Sequence, residues 1–366
     1  VTSTEVPAPR RRWRLALLLL SAVVLAGTFQ ASGSPLGLPI GTAFVPAGFA
    51  LMAALARIGD EDPLARPLGL VLLAGTIFAL CLGSLALIVL HVVEPGALAA
   101  PGQDVEFVPG GEARLSFMMA LVALSAATTL LGLFRPVRDA VKDIIPIEPN
   151  RFSHALGLAT AIAVSLIPLA PLFVLGRPPL PVSADLLPPG SSALVLPSFT
   201  ERSAELGWFV LATLMAAGPA SARTGPALWA RLGVYRPALW HCGLALTAGL
   251  MLGTLHEALA TRLPGALAAP ALPAVWLPGD HPWPQVAGLS LLTATGTELT
   301  YRGYLQPRLG LVLTNLVLTA PLAWATPWQG LFTVFGVGVV FGALRSVGGT
   351  IPAWLAHLSF LLAAAA

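Results

Sequence analysis

The sequence predicts an all-α polytopic transmembrane helix bundle of about eleven spans, with a range of nine to eleven. Three observations carry this. Hydrophobic residues make up 56% of the 366 and charged residues only 10%, against roughly 25% charged in soluble domains. Mean hydropathy is +0.82. Apolar runs near the 20 residues or so that a bilayer-crossing helix needs recur along the whole chain.

The runs fall at residues 15–30, 36–56, 67–93, 115–134, 154–176, 206–222, 238–260, 286–304, 310–326, 330–344 and 350–366. The first follows a basic RRRWR at residues 10–14, a layout shared by signal peptides and signal anchors; no small-x-small cleavage site stands out after it, so a retained first helix is expected. The runs at 206–222 and 330–344 are short and fit tilted or re-entrant helices. Many of the 34 prolines sit at run ends, where a missing amide costs least. Two polar segments, 94–114 and 177–205, are rich in Pro, Gly and acidic residues. Neither is long enough for an independent domain.

Basic residues alternate between loops. With a cytoplasmic amino terminus, sixteen of the twenty Lys and Arg face inside and four, Arg114, Arg177, Arg202 and Arg262, face outside. That is the positive-inside pattern. It predicts an integral multi-pass protein of a bacterial cytoplasmic membrane, amino terminus inside, with the lipid bilayer as its first partner. The net charge of +3 is scattered, one or a few residues at a time, and does not form a nucleic-acid surface. Cys81 and Cys242, both inside apolar runs, exclude a disulfide framework and a thiolate metal site.

The exception to apolar monotony is TGTELTYRGYLQPRLG, residues 295–310. An ionised side chain in hydrocarbon costs at least about 2.5–3.5 kcal/mol on insertion scales, so it is paired or lines a cavity. Glu298 and Arg302 are four apart, acid first, the favourable order for a helical ion pair. On spacing alone, a salt bridge at the membrane edge with Arg302 snorkelling to the headgroups is as good a reading as a functional site.

The letters around the pair favour the site. The stretch from Thr297 to Pro307 resembles the first signature of the CAAX prenyl protease and bacteriocin-processing (CPBP) family of intramembrane metal-dependent endopeptidases, E-E-x-x-x-R followed by G and P: Glu298, Arg302, Gly303 and Pro307 match, and Thr297 replaces the first glutamate. RLGVYRP at 231–237 resembles the element that opens this domain. Pro352 to His357 resembles its last signature, H-x-x-x-N or H-x-x-x-D, with Leu361 at the Asn or Asp position. The middle signature, F-x-x-x-H, aligns with Leu322 and Thr326, and no histidine lies between His281 and His357. The resemblance divides the chain into amino-terminal helices of unassigned role, 1–204, and a CPBP-like domain, 205–366.

The resemblance implies a catalytic set of Glu298, Arg302 and His357, with Glu298 and His357 as the metal ligands that remain, and Zn as the cofactor if the family chemistry is retained. Residue chemistry opposes that. A threonine at 297 has no accessible ionisation with which to serve as a base near neutral pH, and one His with one Glu is a poor zinc site, so no cofactor is expected. His256-Glu257 begins like H-E-x-x-H, but Ala260 occupies the second histidine position. His91, His154 and His241 read as interfacial side chains, and Asp280-His281 as a solvated polar turn. The expected function is therefore a derivative of the CAAX endopeptidases with impaired or lost activity that binds membrane-embedded peptides or partner proteins. An active metal-dependent endopeptidase is the alternative. A membrane transporter is a third, opposed by the scarcity of intramembrane charge outside residues 298–302.

Overall fold

The computed structural model of the chain describes residues 9–32, 38–93, 111–176, 178–179, 199–221, 223–260, 262 and 282–365. Most of the two long polar segments lies outside these residues, as do Asp280 and His281. Every one of the eleven apolar runs becomes helix, and no strand occurs among the described residues.

The amino-terminal helices are α1 (Pro9–Ser32), α2 (Leu38–Gly41), α3 (Phe44–Gly59), α4 (Ala65–Val93), α5 (Gly111–Leu130), α6 (Arg135–Val141), α7 (Phe152–Leu166) and α8 (Leu169–Leu175). Ala50, Leu51, Ala54, Leu55 and Ile58 recur at helical spacing on α3 and are buried. They form a core with Ala16 and Leu19 of α1. Polar side chains fasten the ends. Asp60, just past α3, accepts from the Ser153 backbone N–H at 2.9 Å and from its hydroxyl at 2.6 Å, capping α7. Trp13 Nε1 donates to Asp62 at 3.0 Å. Arg138 is buried, donating to the carbonyls of Gly132 at 3.0 Å and Pro149 at 2.9 Å, so it holds the α5–α7 connection in shape.

The carboxy-terminal helices are α9 (Phe199–Ala217), α10 (Pro226–Arg231), α11 (Leu239–Ala260), α12 (Trp283–Thr297), a π-helical segment (Glu298–Leu305), α13 (Gln306–Thr319), α14 (Trp328–Gly348) and α15 (Thr350–Ala364). The boundary expected at 204/205 falls inside α9, which packs on α3 on one side and on α12 on the other. Among the described residues, five segments are long and apolar enough to cross a membrane: Ala65–Val89, Leu115–Leu133, Phe152–Leu175, Leu239–Leu259 and Trp328–Gly348. Trp13–Phe29, Phe44–Gly59 and Thr350–Ala364 are apolar but shorter. The difference from eleven full spans arises because several hydrophobic runs are broken by π, 3-10 or bent segments, such as Glu298–Leu305 and Ala320–Trp324.

The most extensive helix pair is α11 with α15. Two glycines four apart, Gly249 and Gly253, permit it: a Cβ at Gly249 would lie 2.0 Å from Ser359 Oγ and 2.2 Å from the Ala356 carbonyl, and one at Gly253 would lie 2.6 Å from the Phe360 carbonyl. This is the small-xxx-small packing by which apolar helices associate when water exclusion supplies no drive. It fixes the rotation of α15 and therefore the aim of His357. Where α14 turns into α15, the Thr350 N–H donates to the Gly233 carbonyl at 2.9 Å and the Thr350 hydroxyl to that of Leu232. The LG of RLGVYRP is thereby docked against the start of the helix that carries His357.

Gly249→Leu is expected to lower stability by about 1–3 kcal/mol, the usual cost of forcing side-chain volume into a packed contact. Thermal unfolding in detergent micelles measures it; an unchanged midpoint would contradict the tight α11–α15 contact.

Candidate functional site

The site is centred on the π-helical segment. Its i→i+5 pattern is visible where the Gln306 N–H donates to the Tyr301 carbonyl. Single π turns within α-helices recur at functional sites, and here the segment carries Glu298 and Arg302, both fully buried.

Glu298 Oε1 pairs with His357 Nδ1 at 2.8 Å, joining the segment to α15. Glu298 Oε2 lies 3.5 Å from Arg302 Nε, an ion pair too long and misaligned to be a hydrogen bond. The Arg302 guanidinium donates through Nη2 to Asn315 Oδ1 and to the Gly338 carbonyl, both at 2.9 Å. Three helices thus converge on one arginine. Gly338 is required there, because a Cβ would lie 2.3 Å from Asn315 Oδ1 and 3.1 Å from Arg302 Nη2. Arg302 Nε and Nη1 and Glu298 Oε2 have no hydrogen-bond partner among the described residues. For groups withdrawn from water this is costly, and it leaves the segment with a polar face.

That face lines a cavity of about 260 Å³, walled otherwise mainly by apolar side chains such as Phe209, Leu322, Val337 and Phe341. His357 stacks obliquely on Phe341, ring centroids 5.1 Å apart. The structure brings Thr297, Glu298, Arg302 and His357 to this cavity. It does not bring Thr326 or Leu361 there. Thr326 is fully buried away from the cavity with its hydroxyl unpartnered, whereas Leu322 lines the wall. The physical reason is local: Ala320–Trp324 is a 3-10 turn and the helix ends there, so residues four apart no longer share a face. Thr326, which aligns with the histidine of the middle signature, is therefore not part of the cavity wall. Leu361 is packed in the core formed with Ala245, Phe341 and Phe360.

Sequence reasoning missed Asn315 and Gly338, and set His256 aside because Ala260 breaks its metal motif. Asn315 is the only amide within the run from Leu309 to Thr319, a signal of a buried polar role that was available. The Gly338 acceptor is a backbone atom and leaves no side-chain signature. His256 is 4% exposed, set edge-to-face against Phe360, with Nδ1 unpartnered on the cavity wall. It reads from sequence as the outer end of a span; the close α11–α15 contact turns it inward.

Residues 279–362 match the type II CAAX prenyl endopeptidase Rce1-like family. The match bears out the CPBP resemblance drawn from Glu298, Arg302 and His357, and it covers a minority of the chain. Comparison with curated proteins and with solved structures returns no match. The apolar helices together with the Rce1-like segment make the chain an integral membrane protein related to the CAAX endopeptidases.

The family's metal can be tested against the donors of the Rce1-like segment. A catalytic zinc takes three protein ligands and a water. Here the one imidazole at the π segment has Nδ1 on Glu298, and among the described residues no three of His, Cys, Asp and Glu are grouped closely enough to hold a metal ion. The donor set does not fit a catalytic zinc.

Proposed function

We propose that the Rce1-like segment holds a membrane-embedded peptide, or the membrane-inserted part of a partner protein, without cleaving it by the family's metal chemistry. One observation carries this reading: an apolar-walled cavity lined on one side by Arg302, whose Nε and Nη1 have no hydrogen-bond partner among the described residues, and by Glu298, already engaged by His357. Apolar walls take a side chain or prenyl segment. The N–H groups of those two Arg302 nitrogens take a carbonyl or carboxylate oxygen of the occupant, so a few placed polar groups orient an otherwise apolar ligand. The Rce1-like match supports a peptide of the CAAX class as the occupant.

Hydrolysis lacks its parts. Thr297 stands at the cavity where the family signature has glutamate, and Glu298 is already engaged by Arg302 and His357. Loss of a general base typically removes about 10²- to 10⁴-fold in rate. In lipid, with a fluorogenic prenylated peptide, the native chain is expected to bind the peptide and to show no Zn²⁺-dependent turnover above that of Glu298→Ala. Metal-dependent turnover that disappears in Glu298→Ala would overturn the proposal.

We also place the protein in a bacterial cytoplasmic membrane with its amino terminus inside, on the sixteen-to-four distribution of basic residues. In a chain whose free cysteines Cys81 and Cys242 are replaced by Ser, an impermeant thiol reagent added outside is expected to label Gly190→Cys and not Lys142→Cys. Equal labelling of both would contradict the orientation. Arg138 is unsuited to this test because it is buried.

A further inference from the structure

Four arginines gather at the end of the bundle where the Leu232–Gly233 turn meets α15, and the peptide reading above makes no use of them. Arg223 follows α9, Arg231 ends α10, Arg308 lies in the first turn of α13 and Arg345 in the last turns of α14. All four are half-buried. They surround the Tyr304 region. The Arg308 guanidinium lies over the Tyr304 ring, 3.9 Å from its centroid, and donates to the Tyr304 carbonyl. Tyr304 packs against Leu228 and Leu232, which flank Arg231. Arg345 Nε donates to the Arg302 carbonyl at 3.1 Å, and its Nη2 is 3.5 Å from where a Gly233 Cβ would stand.

Among the described residues no carboxylate acts on Arg223, Arg231 or Arg345, and the acidic groups in reach are the phenols of Tyr304 and Tyr235. Arg231 is within electrostatic reach of Arg308, Arg223 and Arg345, and Arg223 of Arg308 and Arg57. Two acids of the same end, Asp60 and Glu148, are already paired with Arg57 and Arg151. Arg231 Nε is buried without a hydrogen-bond partner. Burial, reinforced by the neighbouring arginines, pushes the Arg231 guanidinium down to about 10, so it remains charged at neutral pH. Uncompensated cations taken partly out of water are costly, and a bound anion is the compensation that the chain itself does not supply. Basic pockets between transmembrane helices at the cytoplasmic face are where lipid headgroups bind, and the sequence puts all four residues on that face.

We propose that Arg223, Arg231, Arg308 and Arg345 form a binding site for a phosphate anion, of the kind borne by an anionic phospholipid headgroup. Planar guanidinium forks suit phosphate oxygens, which accept several N–H bonds at once. Because Arg345 also holds the Arg302 carbonyl, an occupant would bear on the backbone of the π-helical segment.

The full chain is titrated in phosphatidylcholine nanodiscs containing increasing phosphatidic acid, and separately in detergent with inorganic phosphate, with bound lipid counted by native mass spectrometry and stability followed by thermal unfolding. Saturable binding is expected in one arm, and the arm that saturates identifies lipid headgroup or free phosphate as the source. Removing two arginines in Arg231→Gln/Arg308→Gln is expected to weaken it about 20- to 30-fold, given roughly fivefold for each basic residue. Arg231→Lys/Arg308→Lys should retain most of it. Arg135→Gln/Lys142→Gln removes the same charge from exposed positions on the α6 side and should leave binding unchanged. If the double Gln variant does not fold, Arg223→Gln alone is expected to lose about fivefold. Absence of saturable binding in both arms, equal binding by the variants, or an equal loss in the exposed control would overturn the site. None of these readouts depends on a peptide, so the outcome stands apart from that of the peptide assay.

Discussion

The buried pair of Glu298 and Arg302 is the constraint on which the arrangement of the carboxy-terminal helices depends. Both side chains are fully withdrawn from solvent. A charge in that position is tolerated only if groups from elsewhere come to meet it. The groups that come are His357 from α15, Asn315 from α13 and the Gly338 carbonyl from α14. Removing the charges would leave these helices with apolar contacts, which in a membrane specify little about rotation or register, and a few polar ones such as Gln306 Nε2 to the Gly342 carbonyl at 2.9 Å.

Packing and polarity are therefore coupled through small residues. Gly249 and Gly253 let α15 approach α11 closely enough to aim His357 at Glu298. Gly338 lets the Arg302 guanidinium reach a backbone carbonyl that any side chain would block. The π-helical turn supplies the remaining adjustment, since it widens the backbone where the two charges leave the helix. The result is an incompletely satisfied network: two Arg302 nitrogens, Nε and Nη1, and one Glu298 oxygen have no hydrogen-bond partner among the described residues. Native structures seldom carry such groups without a use. On the reading proposed above, an occupant that brings an oxygen acceptor satisfies the Arg302 donors.

Much of this was legible in the sequence, for physical reasons. Hydropathy sums along a run whatever the partner, so all eleven apolar runs emerge as helix. The cost of an intramembrane charge singled out Glu298 and Arg302, and the letters around them led to His357, 59 positions from Glu298 in the chain but 2.8 Å from it in space. What depends on local backbone geometry was not legible. The π-helical form of Glu298–Leu305 has no compositional mark. The 3-10 turn at Ala320–Trp324 breaks the four-residue periodicity, so Thr326, aligned by spacing, is turned from the cavity that Leu322 lines. His256 required knowledge of the α11–α15 interface, a long-range contact that a single helix pattern does not encode.

The central claim, that one buried charge pair organises the cavity, is tested most directly by a double-mutant cycle on Glu298→Gln and Arg302→Gln, with unfolding followed in detergent micelles. Each single change should cost about 3–5 kcal/mol, because it strands the partner charge in a dry site. The double change should cost well below the sum, by at least about 1 kcal/mol, since neither charge is then left alone. Costs that simply add, or single variants as stable as the native chain, would contradict the account.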